Sequence, residues 1–282
     1  MNKDFFLGLG GQKCGSSWIQ AYLSGQSGSD FGRLGEYQVW EHRTGGVFAR
    51  YRVPEPSPLQ KLRARAKMAL GAPEPTPHLR WRLQSSEQSY FDYFGALLAR
   101  PGIQRTGDIT PSYAGLPADL LVRIKTGMAA QGAAVKVLFS MRDPVDRLRS
   151  HLRMEMAKGR LPASDDNEAP LRAFYASKEA KARSHYDQTL NAINQVFEPA
   201  NTHICLFEDL FTPEGIKALA RFANVPADPF AGSKMVNARE KGRGISEALE
   251  AEIANHYAPV YTAVAARLPQ VKTLWPSARF VL

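Results

Sequence analysis

Cysteine is almost missing from this chain of 282 residues, where only Cys14 and Cys205 occur. Two thiols build neither a disulfide framework nor a four-cysteine zinc site, and they leave open only a bridge between themselves. Also missing is any apolar run of about 18 residues, the length a helix needs to span a bilayer. The opening MNKDFFLGLGGQKCGSSW is apolar only until glycines and Lys13 interrupt it, so it does not read as a secretory signal. No H-E-x-x-H, no cluster of carboxylates and no Cys/His spacing marks a metal site. No internal repeat or long low-complexity tract occurs. The expectation from these absences is a metal-free protein of the cytoplasm.

Acidic residues are also in short supply, 27 against 36 Lys and Arg, for a formal charge of +9. That excess points to an anionic partner: a nucleotide, a sulfated or phosphorylated sugar, a nucleic acid or a membrane surface. A hydrophobic content of 44% with 22% charged residues is ordinary for a globular protein and excludes a disordered or fibrous chain. At this length one domain covering residues 1–282 is expected.

Three strand–turn–helix units are present. Phe5-Phe6-Leu7 reads as a buried strand, Gly8 to Gly15 as a glycine loop, and Trp18, Ile19, Tyr22 and Leu23 recur at helical spacing, with Ser16 and Ser17 placed to cap. Val135 to Met141 reads as a second strand, followed by Arg142-Asp143-Pro144 and a helix from about Val145 to Lys158, with Pro144 in its first turn. His203 to Phe207 reads as a third strand before a helical stretch from about Pro213 to Ala223. Short apolar strands alternating with helices indicate an α/β fold with a mainly parallel central sheet flanked by helices. Between the first two units, about residues 50–85, lies a Pro-rich basic insertion. Six prolines (Pro54, Pro56, Pro58, Pro73, Pro75, Pro77) flank Lys61-Leu62-Arg63-Ala64-Arg65-Ala66-Lys67, which reads as a surface excursion with one short amphipathic helix.

Two motifs carry the chemistry. Gly10-Gly11-Gln12-Lys13-Cys14-Gly15-Ser16-Ser17 keeps the frame of a phosphate loop, but Ser16 stands where a nucleoside-triphosphatase loop has lysine. A Rossmann fingerprint fails too, because Lys13 occupies the third glycine position. What remains is an anion loop: glycines admit backbone N–H groups to the ligand, the next helix adds its positive end, and Lys13 adds a mobile charge. The second motif runs from Arg142 to Ser150. Arg142 follows a predicted central strand, where open α/β sheets bind ligands, and an arginine with a nearby hydroxyl suits a second phosphate.

Together these motifs resemble the sulfotransferases that use 3′-phosphoadenosine-5′-phosphosulfate (PAPS). Lys13-Cys14-Gly15-Ser16-Ser17-Trp18 resembles their K-x-G-T-T-W loop, and Arg142 to Ser150 resembles the R-[DN]-P-x-x-R-x-x-S segment that holds the 3′-phosphate. Further segments are similar to the branch containing the heparan sulfate sulfotransferases and their bacterial relatives. Gly35 to Trp40 resembles K-E-x-x-F-F, whose glutamate is the base, and Gly107 to Tyr113 resembles E-K-T-P-x-Y. Phe207-Glu208-Asp209-Leu210 resembles Y-E-D-L, and Lys241-Gly242-Arg243 resembles a late K-G-R loop over the donor. Ile109 stands where several carbohydrate-modifying members carry lysine.

The resemblance implies a P-loop-like nucleotide site for PAPS, lined by Gly11, Gln12, Lys13, Cys14, Gly15, Ser16, Ser17, Trp18, Arg142, Ser150, Lys241, Gly242 and Arg243. Lys13 and Lys241 would stabilise the leaving phosphate oxygen, and Glu36 would take the proton of the acceptor hydroxyl or amine. Glu36, Trp40, Asp108, Thr110 and Ser112 would face the acceptor, expected to be a carbohydrate or small metabolite, with acidic ones among the candidates. His42 is the alternative base. His151, His78, His185, His203 and His256 read as structural, and Tyr186 and Leu190 as core. Two other classes compete: a polyanion- or RNA-binding protein using the basic surface, and a P-loop kinase relative, which would need a magnesium-binding hydroxyl after a lysine.

Overall fold

The structure, a computed structural model, describes residues 3–162, 164, 166, 168–233 and 244–282. Its centre is a four-stranded, wholly parallel sheet of β1 (Lys3–Gly8), β2 (Arg105–Ile109), β3 (Ala133–Met141) and β4 (Thr202–Leu206) in the order β2-β1-β3-β4. The apolar runs 5–7 and 135–141 become its two inner strands because both of their faces are covered. Alternation along them feeds two cores. Phe5, Leu7, Val135, Val137 and Phe139 point to one side, while Phe6 and Leu138 point to the other.

The smaller core is closed by α1 (Ser16–Ser24) and α8 (Pro213–Ala223), which contribute Trp18, Ile19, Leu23, Ile216 and Leu219. The larger core packs under α4 (Glu87–Leu98), α5 (Ala118–Ala130), α7 (Tyr186–Val196), α9 (Glu247–His256) and α10 (Ala258–Arg267). Helix α6 (Pro144–Ala157) leaves the end of β3 with Pro144 in its first turn. Asp143 caps it, accepting from the Val145 amide at 2.9 Å, the Tyr261 hydroxyl at 2.7 Å and the Ser277 amide at 2.9 Å.

Three sequence expectations need correction. The 50–85 insertion forms two helices, not one: α2 (Pro58–Ala69) and α3 (Thr76–Ser85). Pro58 and Pro77 sit in their first turns, where the missing amide costs nothing, so these prolines start helices instead of marking loop. Strand β2 carries no strand signal in the sequence, since Arg-Thr-Gly-Asp-Ile is not an apolar run, yet all five residues are buried. Arg105 is accommodated by donating to the carbonyls of Ser27 at 2.6 Å and Asn224 at 3.3 Å. Third, neither Ser16 nor Ser17 caps α1; Gly15 is its N-cap and no side chain caps it. Among the described residues, no helix is long and apolar enough to cross a membrane.

Candidate functional site

Strands β1 and β3 are parallel neighbours, so the loops leaving their C-terminal ends emerge at the same edge of the sheet. The first carries Lys13 and the second Arg142. After β1 the chain stays zipped to β3: Leu9 N–H donates to the Leu138 carbonyl at 2.9 Å, Gly11 N–H to the Ser140 carbonyl at 2.6 Å, and Ser140 N–H to the Gly10 carbonyl at 3.0 Å. It then turns over Lys13, at φ 69°, and Gly15, at φ 90°. Gly15 is required there, since an added Cβ would also lie 2.5 Å from Leu210 Cδ2. The turn aims the uncapped N-terminus of α1, with its free amides and positive dipole end, into a cavity of about 890 Å³.

Arg142 enters the cavity from the other loop. Its guanidinium carbon lies 4.5 Å from the centroid of the Phe207 ring, and Nη2 donates to Asp146 Oδ2 at 3.2 Å. Its Nε is buried with no hydrogen-bond partner among the described residues. A buried charged donor without an acceptor is costly, so Arg142 is poised for an anion. Ser150 and Arg153 follow on the same face of α6, one turn apart, and also line the cavity. Glu36 reaches the cavity from the segment after α1, with Lys158 and the Gln38 side chain beside it; Gln38 Nε2 donates to Glu36 Oε2 at 3.3 Å. Burial raises the carboxyl of Glu36 above its ordinary range, and the positive charge of Lys158 partly opposes that shift.

The structure thus brings Gln12, Lys13, Gly15, Ser16, Ser17, Trp18, Arg142, Ser150 and Glu36 to one cavity. Gly11 does not line the cavity, its amide being taken by the Ser140 carbonyl, and the Cys14 side chain is fully buried, its thiol pushed up to about 11 by burial and set 3.6 Å from the Tyr186 hydroxyl. Lys241, Gly242 and Arg243 lie outside the described residues.

Four residues expected to face the acceptor do not line the cavity: Trp40, Asp108, Thr110 and Ser112 are buried behind it. They hold the Glu36 segment from beneath. Thr110 Oγ1 donates to Asp108 Oδ1 at 2.6 Å and accepts the amides of Tyr37 at 3.0 Å and Gln38 at 3.4 Å. Asp108 Oδ2 accepts from Tyr113 at 2.7 Å and Tyr90 at 3.1 Å, and Tyr113 Oη accepts the Val39 amide at 3.0 Å. Ser112 donates to the buried Glu41 at 2.7 Å, and Trp40 packs edge-on against Tyr90. Outside this network, Arg80 donates to the carbonyls of Glu36 at 2.7 Å and Tyr37 at 3.1 Å. So Glu36 stands on a loop whose backbone polar groups are tied down, including Gln38 at φ 58°.

His42 is not among the cavity residues. Nor is His151, which is fully buried in α6; burial, with Arg147 beside it, holds it down to about 2, so it stays neutral.

Several lining residues carried no expectation. Arg153 and Lys158 continue the α6 face that begins at Ser150, a spacing visible in the sequence. Phe207 belongs to the Phe207–Leu210 motif and serves as the platform for Arg142. Arg50 and Tyr51 come from a 3₁₀ turn, Gly46–Tyr51, that has no periodic signal. None of residues 54–77 reaches the cavity. Among the described residues, six cations (Lys13, Arg50, Arg142, Arg153, Lys158, Arg160) and two carboxylates (Glu36, Glu155) line it.

No protein-family model and no curated protein matches the chain. Solved structures do. A sulfotransferase from Alicyclobacillus acidocaldarius superposes with a TM-score of 0.60 at 18% identity, covering 95% of this chain and 97% of that one. The sulfotransferase domain from the curacin biosynthetic pathway superposes with a TM-score of 0.50 at 22% identity, covering 81% of this chain and 76% of that one. With its parallel four-stranded sheet and the glycine loop at the C-terminal end of β1, this chain has the sulfotransferase fold.

Proposed function

We propose that this protein is a sulfotransferase that takes a sulfuryl group from PAPS and passes it to a hydroxyl or amine of an acceptor. One observation carries the proposal. An uncapped helix N-terminus with Lys13, a partnerless Arg142 guanidinium nitrogen with Ser150, and a carboxylate raised by burial all meet in a single cavity. Two separated anion points suit a nucleotide bearing phosphate at both the 5′ and 3′ positions, and the residues present fit that donor. When bound, PAPS supplies a sulfuryl group already joined to a phosphate leaving oxygen.

The protein's part is to bind, orient and move one proton. The amides at the start of α1, with the Ser16 and Ser17 hydroxyls, would hold the 5′ end, and Lys13 would neutralise charge growing on the leaving oxygen. Arg142 and Ser150 hold the 3′-phosphate. Glu36 Oε accepts the proton of the acceptor group, and its raised basicity serves that task.

The test is incubation with labelled PAPS and a panel of sugars, phenols, amines and small metabolites, read by mass spectrometry for the gain of one sulfuryl group. In parallel, adenosine 3′,5′-bisphosphate without magnesium should raise the melting temperature, and ATP should do so much less. Equal stabilisation by ATP, dependent on magnesium, would favour a kinase relative instead.

A further inference from the structure

Helix α2 turns its apolar side outward. Leu59, Leu62, Ala66 and Leu70 recur at i, i+3, i+7 and i+11, which at about 100° per residue places them in one stripe. In an ordinary surface helix that stripe would face the core. Here Leu59 is 56% exposed, Leu62 64% and Leu70 90%, and the only buried residue of the helix is Ala64, on another side. On its inner side, Lys61 lies over the Trp81 ring at 4.6 Å.

The helix is stabilised locally, not by burial of its leucines. Ser57 Oγ accepts the Gln60 amide at 3.3 Å, Gln60 Oε1 accepts the Ser57 amide at 2.8 Å, and Pro58 fills the first turn. A complete capping box therefore holds the helix formed with its apolar stripe in water. Cations border that stripe on both sides, Arg65 along one edge and Arg63 and Lys67 along the other. All three are exposed, and among the described residues no ion pair engages them. The helix itself contains no acidic residue.

We infer that α2 is a docking element for an anionic membrane surface, with Leu59, Leu62 and Leu70 entering the acyl boundary and Arg63, Arg65 and Lys67 meeting lipid phosphates. An apolar stripe with basic flanks is the composition of a helix that lies in the plane of a bilayer interface. A second copy of the chain is a poorer occupant. Two such helices facing each other across a two-fold axis would oppose Arg63, Arg65 and Lys67 to their own equivalents, with no carboxylate on either helix to relieve the repulsion. The inference does not depend on the catalytic reading, because α2 contributes nothing to the cavity.

The experiment is co-sedimentation of the full chain with phosphatidylcholine vesicles, with and without phosphatidylglycerol. The protein should pellet with the anionic vesicles and stay in solution with the neutral ones. Raising salt from about 0.1 M to about 1 M, which shortens the screening length from about 10 Å to about 3 Å, should release most of it. Leu59→Ser/Leu62→Ser/Leu70→Ser should lower the partition coefficient about tenfold or more, and Arg63→Gln/Arg65→Gln/Lys67→Gln should remove the preference for anionic lipid. Both variants alter exposed positions, so their melting temperatures should match the parent and show that folding is intact. Failure of the parent to bind, or equal binding by the leucine variant, would overturn the inference. So would a concentration-dependent dimer that the leucine variant abolishes.

Discussion

Glu36 is pulled in two directions, and the pull that wins sets how the proposed reaction depends on pH. Burial raises its carboxyl, while Lys158, Gln38 and Arg80 lower it, leaving a net rise. In the proposed reaction Glu36 is the base, and a base works only when deprotonated, so turnover should fall as pH drops through a value above the ordinary carboxylate range. Glu36→Gln should lower turnover on an aliphatic hydroxyl by about 10²–10⁴-fold, leave affinity for the product nucleotide nearly unchanged, and abolish that acid limb. Steady-state kinetics between acid and neutral pH checks this, and full turnover by Glu36→Gln would place the base elsewhere. Lys13 was legible from its place between two glycines, and Arg142 from the strand before it. The Arg142–Phe207 stack was not, since nothing local in the chain says that residues 65 positions apart will touch.

At the scale of elements, the piece that positions Glu36 is β2 with the turn after it. The Thr110 hydroxyl is a single relay: it donates to Asp108 and accepts two amides of the Glu36 loop. Thr110→Val keeps the shape and removes the relay, leaving buried amides and the Asp108 carboxylate short of partners. The expected result is a loss of about 1–3 kcal/mol in denaturant unfolding and at least a tenfold drop in turnover, with product-nucleotide affinity held within about threefold. Turnover at the parent level would show that the Glu36 loop keeps its place without this bond. The 107–113 segment was legible as a motif but not as a strand. Its polar residues Asp108 and Thr110 are fully buried because hydroxyls from α4 (Tyr90) and from the turn after β2 (Thr110 and Tyr113) satisfy the Asp108 carboxylate. Such satisfaction comes from tertiary structure and leaves no periodic trace. The inner strands β1 and β3, by contrast, announce themselves, because strands buried on both faces must be apolar throughout.

Over the whole molecule, the buried acids beneath the site make stability depend on pH in a stated direction. Burial pushes Asp108 up to about 6 and Glu41 up to about 7. Both bind a proton more readily folded than unfolded, so their contribution is fully present below the unfolded value near 4 and is lost as pH rises through about 6–7. Glu41→Gln should therefore raise stability at about pH 8 by on the order of 2 kcal/mol while changing little at about pH 4, a difference read from urea unfolding at the two pH values. An equal effect at both would mean that Glu41 is charged in the fold throughout. The sheet that carries Asp108 also presents two cationic residues, Lys13 and Arg142, from loops at adjacent strand ends, and the central claim is that one donor nucleotide bridges them. Isothermal titration of the protein and of Arg142→Ala with adenosine 3′,5′-bisphosphate and with adenosine 5′-monophosphate tests it most directly. The account predicts that the parent prefers the bisphosphate by about ten- to a hundredfold, the worth of about 1.5–3 kcal/mol from a charged hydrogen bond, and that Arg142→Ala loses that preference while keeping its affinity for the monophosphate. Equal affinity of the parent for the two nucleotides, or a preference that survives in Arg142→Ala, would contradict it.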